Sequence, residues 1–173
     1  MILIGEKELL IQKAEKKDAQ EVIDYLNKVS AESDFLSFGE NEFQMTLQQE
    51  EEFIEKLKDS SSEVFIGRID NKIICIVGVT VSERKRLLHH GEIGITIAKE
   101  FWGLGIGKHL MTRIIDYSRN ETPLEMLYLR VRADNFRAIE LYKKFGFKQV
   151  GYYSKHIKLR GEYFDEISMS LML

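Results

Sequence analysis

The segment that most limits what this chain can fold into runs from Gly91 to Gly107, GEIGITIAKEFWGLGIG. An apolar, β-branched stretch, Gly91–Ala98, enters a turn with glycine at 103, 105 and 107 and passes directly into an amphipathic run ending near Arg119. A strand handed to a helix through closely spaced glycines makes an anion site. The first helical turn carries unpaired N–H groups and a partial positive charge, and glycine lets a phosphate approach the backbone. Residue identity excludes two familiar phosphate loops. A GxxxxGK[ST] loop ending at Gly107-Lys108 needs glycine where Trp102 stands and Ser or Thr where His109 stands. A GxGxxG dinucleotide fingerprint fails in both registers, at Lys108 and at Leu110.

The flanking sequence supplies strands and helices in alternation. Residues 8–14 read as a strand. Asp18, with Glu21 three residues later, reads as a capping box for a helix that faces Val22, Ile23, Leu26 and Val29 inward. Thr46 and Gln49 form a second capping box, opening a helix to about Lys58 with Leu47, Phe53, Ile54 and Leu57 inward. Glu63–Ile69 and Lys72–Ser82 read as a hairpin turning at Asp70-Asn71. Beyond Pro123, Met126–Val131 reads as a buried strand, Asn135 opens a helix that Gly146 ends, and Phe147–Lys158 and Tyr163–Met172 flank an Arg160-Gly161 turn. The order βααβββαβαββ predicts an α/β (α+β) fold, with a mixed sheet of about seven strands and helices on both faces. One proline and no linker-like stretch predict a single domain over residues 1–173.

Composition removes several function classes. A net charge of −3 argues against a broadly basic nucleic-acid surface. No stretch approaches the ~20 apolar residues a membrane span needs. Glu6, Lys7 and Glu8 break the apolar start before it resembles a signal peptide, so a cytoplasmic protein with neither nucleic-acid nor membrane partner is expected. The single cysteine, Cys75, lies in an apolar run and reads as a buried small side chain. His89, His90, His109 and His156 have no ligand spacing, so no metal is expected.

A second motif lies one helix and one strand beyond the glycine turn: Asn135, Ala138, Tyr142, Gly146 and Phe147 within LRVRADNFRAIELYKKFGF. Together with Gly103, Gly105 and Gly107, it resembles the paired motifs of the GNAT superfamily of acetyl-coenzyme A-dependent N-acetyltransferases. Bacterial small-amine and ribosomal-protein-type members are the nearest in pattern. The departure is Trp102, where the superfamily most often has Gln or Arg.

The resemblance implies how such a chain would work. Strands Gly91–Ala98 and Met126–Val131 would splay, and backbone groups of Ile97 and Ala98 would pair with the pantetheine arm. Amides of Trp102, Gly103, Leu104, Gly105, Ile106, Gly107 and Lys108 would hold the pyrophosphate. Asn135 would hold the cofactor near its thiol, and Tyr142 would give a proton to the leaving thiolate. Glu92 would accept the amine's proton; read from the residues alone, it is equally a paired carboxylate on a strand. Tyr142 by itself also reads as a core tyrosine. The implied co-substrate is acetyl-coenzyme A. The implied acceptor is a primary amine, on a small molecule or on a peptide or protein, and a homodimer is carried as an expectation. Nine acidic residues against two lysines in 31–59 suggest an acidic rim suited to a cationic amine, or an exposed acidic helix. A rival of another class is a non-catalytic acyl-coenzyme A sensor or protein-interaction module of the same fold.

Overall fold

The computed structural model describes residues 2–40 and 42–173. It begins with a strand absent from the sequence reading: β1 (Ile2–Ile4) turns at Gly5, φ 63°, and pairs antiparallel with β2 (Lys7–Lys13). Gly5-Glu6 is a two-residue hairpin connection, and it raises the sheet from about seven strands to eight. Helices α1 (Ala19–Glu32) and α2 (Leu47–Leu57) follow. Next come β3 (Glu63–Ile69), β4 (Lys72–Val81) and β5 (His90–Ile97), then α3 (Ile106–Glu121), β6 (Met126–Arg132) and α4 (Phe136–Lys144). A long hairpin of β7 (Lys148–Leu159) and β8 (Glu162–Met172) closes the chain. The strand order is β1-β2-β3-β4-β5-β6-β8-β7, antiparallel at every junction except β5–β6.

Strand alternation sorts the side chains onto two faces. Phe65, Val77, Val79, Ile93, Leu127, Leu129 and Met169 pack with Ile106, Leu110, Met111 and Ile114 of α3 and Ile139 and Tyr142 of α4. Ile66, Ile73, Ile76 and Ala98 point the other way, onto Val22, Tyr25 and Val29 of α1. The Tyr25 hydroxyl fixes α1 to β5 by donating to Thr96 Oγ1 at 3.1 Å. Removing a fully buried side chain such as Leu110 would cost about 2–5 kcal/mol, so the α3 interface dominates this layer.

Two local readings need correction. Asp18 and Glu21 do not form a capping box. Glu21 Oε2 and Asp18 Oδ1 take the Arg68 guanidinium at 2.5 and 2.9 Å, and Glu21 Oε1 accepts the Ile73 N–H. The Arg68 side chain is mostly buried, so both carboxylates serve its charge, and the other Asp18 oxygen accepts the Glu15 N–H at 2.9 Å to cap the short turn Lys16–Asp18 that leads into α1. In α2 the Thr46–Gln49 box is present, but Leu47 and Phe53 are exposed, and Ile54 and Leu57 alone of the four named residues face inward.

Candidate active site

The site begins where the sheet parts. β5 and β6 pair over three residues, His90–Glu92 against Met126–Tyr128, and then run on to Ile97 and Arg132 without further pairing to each other. β5 remains laddered to β4 as far as Ile97 opposite Cys75, and the Ala98 N–H donates to the Ile74 carbonyl at 3.0 Å. Backbone polar groups in such a ladder alternate sides, so Ile95 and Ile97 turn theirs into the wedge. Ala98 does not: its N–H is spent on Ile74, and its carbonyl accepts from Phe101 N–H at 2.9 Å. Ile95 therefore replaces Ala98 as the backbone partner of Ile97 along the opening.

At the open end, Trp102 locks the strand to the turn. Its indole N–H donates to the Ile97 carbonyl at 2.7 Å, and its own amide donates to Lys99 at 3.1 Å. Gly103 and Gly105 then adopt φ of 86° and 81°, a region that L side chains enter only at a cost of about 1–2 kcal/mol. The amides from Gly103 to Gly107 have no acceptor among the described residues, whereas Lys108 N–H is bonded to the Gly105 carbonyl at 3.0 Å. The run of amides expected from Trp102 to Lys108 thus narrows to five, at the N-terminus of a long helix. Gly107 also serves packing, because a Cβ there would stand 2.8 Å from Leu141 Cδ2, and its absence lets α3 lie against α4. Arg137, which the sequence reading passed over, holds its guanidinium 5.9 Å from the Trp102 ring centre. Its Nη2 lies 3.7 Å from where a Gly103 Cβ would be. That puts a cation beside the five amides.

The second motif faces the same wedge. Asn135 Oδ1 caps α4 by accepting the Ala138 N–H at 3.2 Å. Tyr142 is buried beside Phe147, and burial pushes its hydroxyl up to about 12. The hydroxyl has no hydrogen-bond partner among the described residues. Nor is it one of the sealed orphan atoms among the described residues, which are His90 Nδ1 and Glu166 Oε2, so its oxygen keeps some access to solvent.

Glu92 sits on the opposite, α1-side face. Its Oε2 accepts from the Tyr128 hydroxyl at 2.9 Å, and its Oε1 faces Arg130 Nε and Nη2 at 3.4 Å each. Burial and the Glu92 carboxylate push Tyr128 up to about 12, which keeps it a donor. Tyr128 and Arg130 were legible only as the even-numbered polar positions of MLYLRVR. Cys75 is buried, and burial pushes its thiol to about 12, which removes it as a nucleophile.

The acidic segment 31–59 is only partly spent, and Glu40, Glu42, Glu52 and Asp59 are exposed with no cation partner among the described residues. Glu32 accepts the Lys99 N–H, Asp34 pairs with Arg160, Glu51 with Lys16 and Glu55 with Lys58, while Glu50 is buried. Arg132 pins this segment over the sheet. It donates to the Asp34 carbonyl at 2.8 Å and to Asp134 through two nitrogens, and stacks on Phe35 and Phe164.

A mixed sheet that parts beside a glycine-turn helix defines an acyltransferase-type fold. The sequence profile of the acetyltransferase (GNAT) family matches residues 29–147, and the chain belongs to that family. A GNAT-family acetyltransferase from Streptococcus pneumoniae is 33% identical, with a TM-score of 0.93 over 96% of this chain and 100% of its own. The protein yncA of Salmonella typhimurium, solved with its cofactor acetyl-CoA, is 16% identical; its TM-score of 0.84 over 95% of this chain and 94% of its own speaks for the fold alone. L-amino acid N-acetyltransferase AaaT of Escherichia coli K12 is 30% identical over 105 residues, 61% of this chain. That match spans 65% of AaaT, just under two thirds of its length.

Proposed function

We propose that the chain transfers an acetyl group from acetyl-coenzyme A to a primary amine within a ternary complex. The observation that carries this reading is the wedge itself. It joins an amide cradle at one end, the Ile95 backbone and the Ile97 N–H along one wall, and Tyr142 and Glu92 on opposite faces of the sheet.

The residues fit the co-substrate on three counts. The amides of Gly103 to Gly107, with Arg137 and Lys108 beside them, suit a diphosphate. The Ile95 N–H and carbonyl and the Ile97 N–H offer strand-like donors and an acceptor to the two amides of a pantetheine arm. Asn135 caps α4, and Tyr142 lies on it. Acetyl-coenzyme A supplies the acetyl group as an activated thioester.

Tyr142 acts on the leaving sulfur as a hydrogen-bond donor. With its hydroxyl near 12 and an ordinary thiol near 8.5, complete proton transfer to the thiolate is uphill, so stabilisation of the developing charge is the larger part of its role. Glu92, its oxygens oriented by Tyr128 and Arg130, keeps lone pairs free to take the amine's proton, directly or through a water. Burial of Cys75 speaks against an acyl-enzyme, which favours direct attack.

The test is initial-rate kinetics with both substrates varied and the product identified by mass. Intersecting double-reciprocal lines and an acetylated amine are expected. Parallel lines would point to an acyl-enzyme and refute direct attack. Glu92→Gln should lower kcat/KM most below the amine's own pKa, where proton removal is required; a uniform, pH-independent loss would assign Glu92 to positioning.

A further inference from the structure

We propose that the α1-side face of the wedge is an anion-recognition site built from Arg130 and His156, and that the acceptor is an amine that also carries a carboxylate, in the manner of a free amino acid. This rests on the acyl-transfer reading and names the acceptor class within it.

The two faces of the wedge differ in chemistry. On the α3–α4 side, Ile95, Ile97, Leu129 and Val131 present hydrocarbon. On the other side a charged strip crosses three strands: Glu92 on β5, Arg130 on β6, Glu166 on β8, and His156 on β7 beyond it. A substrate arriving from this side meets charge before it meets the thioester.

Within the strip, the Glu166 carboxylate lies underneath, and the Arg130 guanidinium and the His156 imidazole lie on top. The Glu166 side chain is 9% exposed, while those of Arg130 and His156 are 48% and 45% exposed. Glu166 Oε2 is sealed from solvent and has no hydrogen bond. The side-chain nitrogens facing it are His156 Nε2 at 3.5 Å and Arg130 Nη1 at 3.8 Å. Arg130 is held as loosely by Glu92, at 3.4 Å. Good charge-assisted bonds are about 2.7–2.9 Å, so every contact of this guanidinium is long. A buried carboxylate without a partner is costly, and native proteins keep one where it has a role. Here that role is to hold the Arg130 guanidinium and the His156 imidazole at the surface with outer donors unspent. A carboxylate bound across Arg130 and His156 would accept from those donors.

Reach agrees with this chemistry. Arg130 lies on the unpaired part of β6 and its guanidinium faces Glu92 of β5 at 3.4 Å, so a small molecule that carries an amine and a carboxylate on one carbon can meet both side chains. A polyamine would set its second charge against Arg130.

The experiment compares alanine, methionine and glutamate, each against its own α-carboxamide, with putrescine as the diamine. Each amide keeps the amine and loses the anion. The acid should exceed its amide in kcat/KM by tenfold or more, and the ratio should fall toward one in Arg130→Gln. Reading the ratio separates recognition from any effect of Arg130 on Glu92. Glu166→Gln, close in shape, should reduce the ratio several-fold by loosening Arg130 and His156. Amides or putrescine equal to or better than the acids in the wild type would overturn the proposal, as would an Arg130→Gln ratio equal to the wild type's. If no amine releases thiol, the acyl-transfer reading fails on its own. The recognition site is then judged by the same amino acids against coenzyme A-saturated protein in a thermal melt, where acids that stabilise no more than their amides overturn it.

Discussion

Replacing Tyr142 by Phe isolates one oxygen atom. The ring is buried and packs near Phe147, and phenylalanine keeps that packing. The hydroxyl has no partner among the described residues, so its removal should change folding stability by no more than about 0.5 kcal/mol at neutral pH. Catalysis should respond differently. A hydrogen bond to a group that becomes charged is worth about 1.5–3 kcal/mol, so kcat should fall roughly ten- to a hundredfold with little change in KM for acetyl-coenzyme A. The alkaline side offers an independent check. Burial raises the folded hydroxyl to about 12 while an unfolded tyrosine titrates near 10, so the neutral form is favoured in the native state. Its contribution is fully present below pH 10 and is lost as pH rises from 10 toward 12, by about 3 kcal/mol at most. Urea unfolding of the free protein at pH 8 and pH 11 should therefore show a smaller alkaline loss in Tyr142→Phe than in wild type. A variant with unchanged kcat would refute the role at the sulfur. One destabilised by more than about 2 kcal/mol at neutral pH would refute the unpartnered hydroxyl.

Three further outcomes follow from the geometry. Arg137→Ala should raise KM for acetyl-coenzyme A about tenfold and leave KM for acetyl-pantetheine, which lacks the diphosphate, unchanged; equal effects on both would remove Arg137 from the anion cradle. Gly107→Ala should change stability by no more than about 1 kcal/mol, because its Cβ meets only the movable end of the half-buried Leu141 at 2.8 Å while alanine gains about 1 kcal/mol in a helix, and adding Leu141→Ala should cost less than that change costs alone; strict additivity in urea titrations would refute the contact. Cys75 should resist thiol-reactive aromatic disulfides in the native protein at pH 8 and react at once in denaturant, since burial holds the thiol near 12; rapid native labelling would contradict its burial.

What the sequence discloses here is what short range decides. The glycine turn, the Asn135 cap, the Thr46–Gln49 box and the positive-φ hairpin at Asp70-Asn71 are each written within a few residues, and each stands in the structure. The wedge is different in kind, because it depends on where β5 stops pairing with a strand more than thirty residues away. Alternation along β5 could have placed Ile95 beside Ile97 in place of Ala98 had the register with β4 been known. Gly107 looks like its neighbours in sequence, yet its constraint is a leucine on another helix. Asp18 and Glu21 match a capping pattern, but Arg68, some fifty residues later, takes an oxygen from each, and Asp18 caps with Glu15 rather than with Glu21. A burst of acidic residues looks uniform in sequence, yet partners take Glu32, Asp34, Glu51 and Glu55 and leave Glu40, Glu42, Glu52 and Asp59 exposed.

The central claim is acetyl transfer from acetyl-coenzyme A to an amine at the β5–β6 wedge. Its most direct test is thiol release by the purified protein across amino acids, polyamines and basic peptides, with product identified by mass. Saturable, amine-dependent release matched mole for mole by acetylated amine is the expected result. No amine-dependent release, together with no rise in melting temperature on adding coenzyme A, would contradict it.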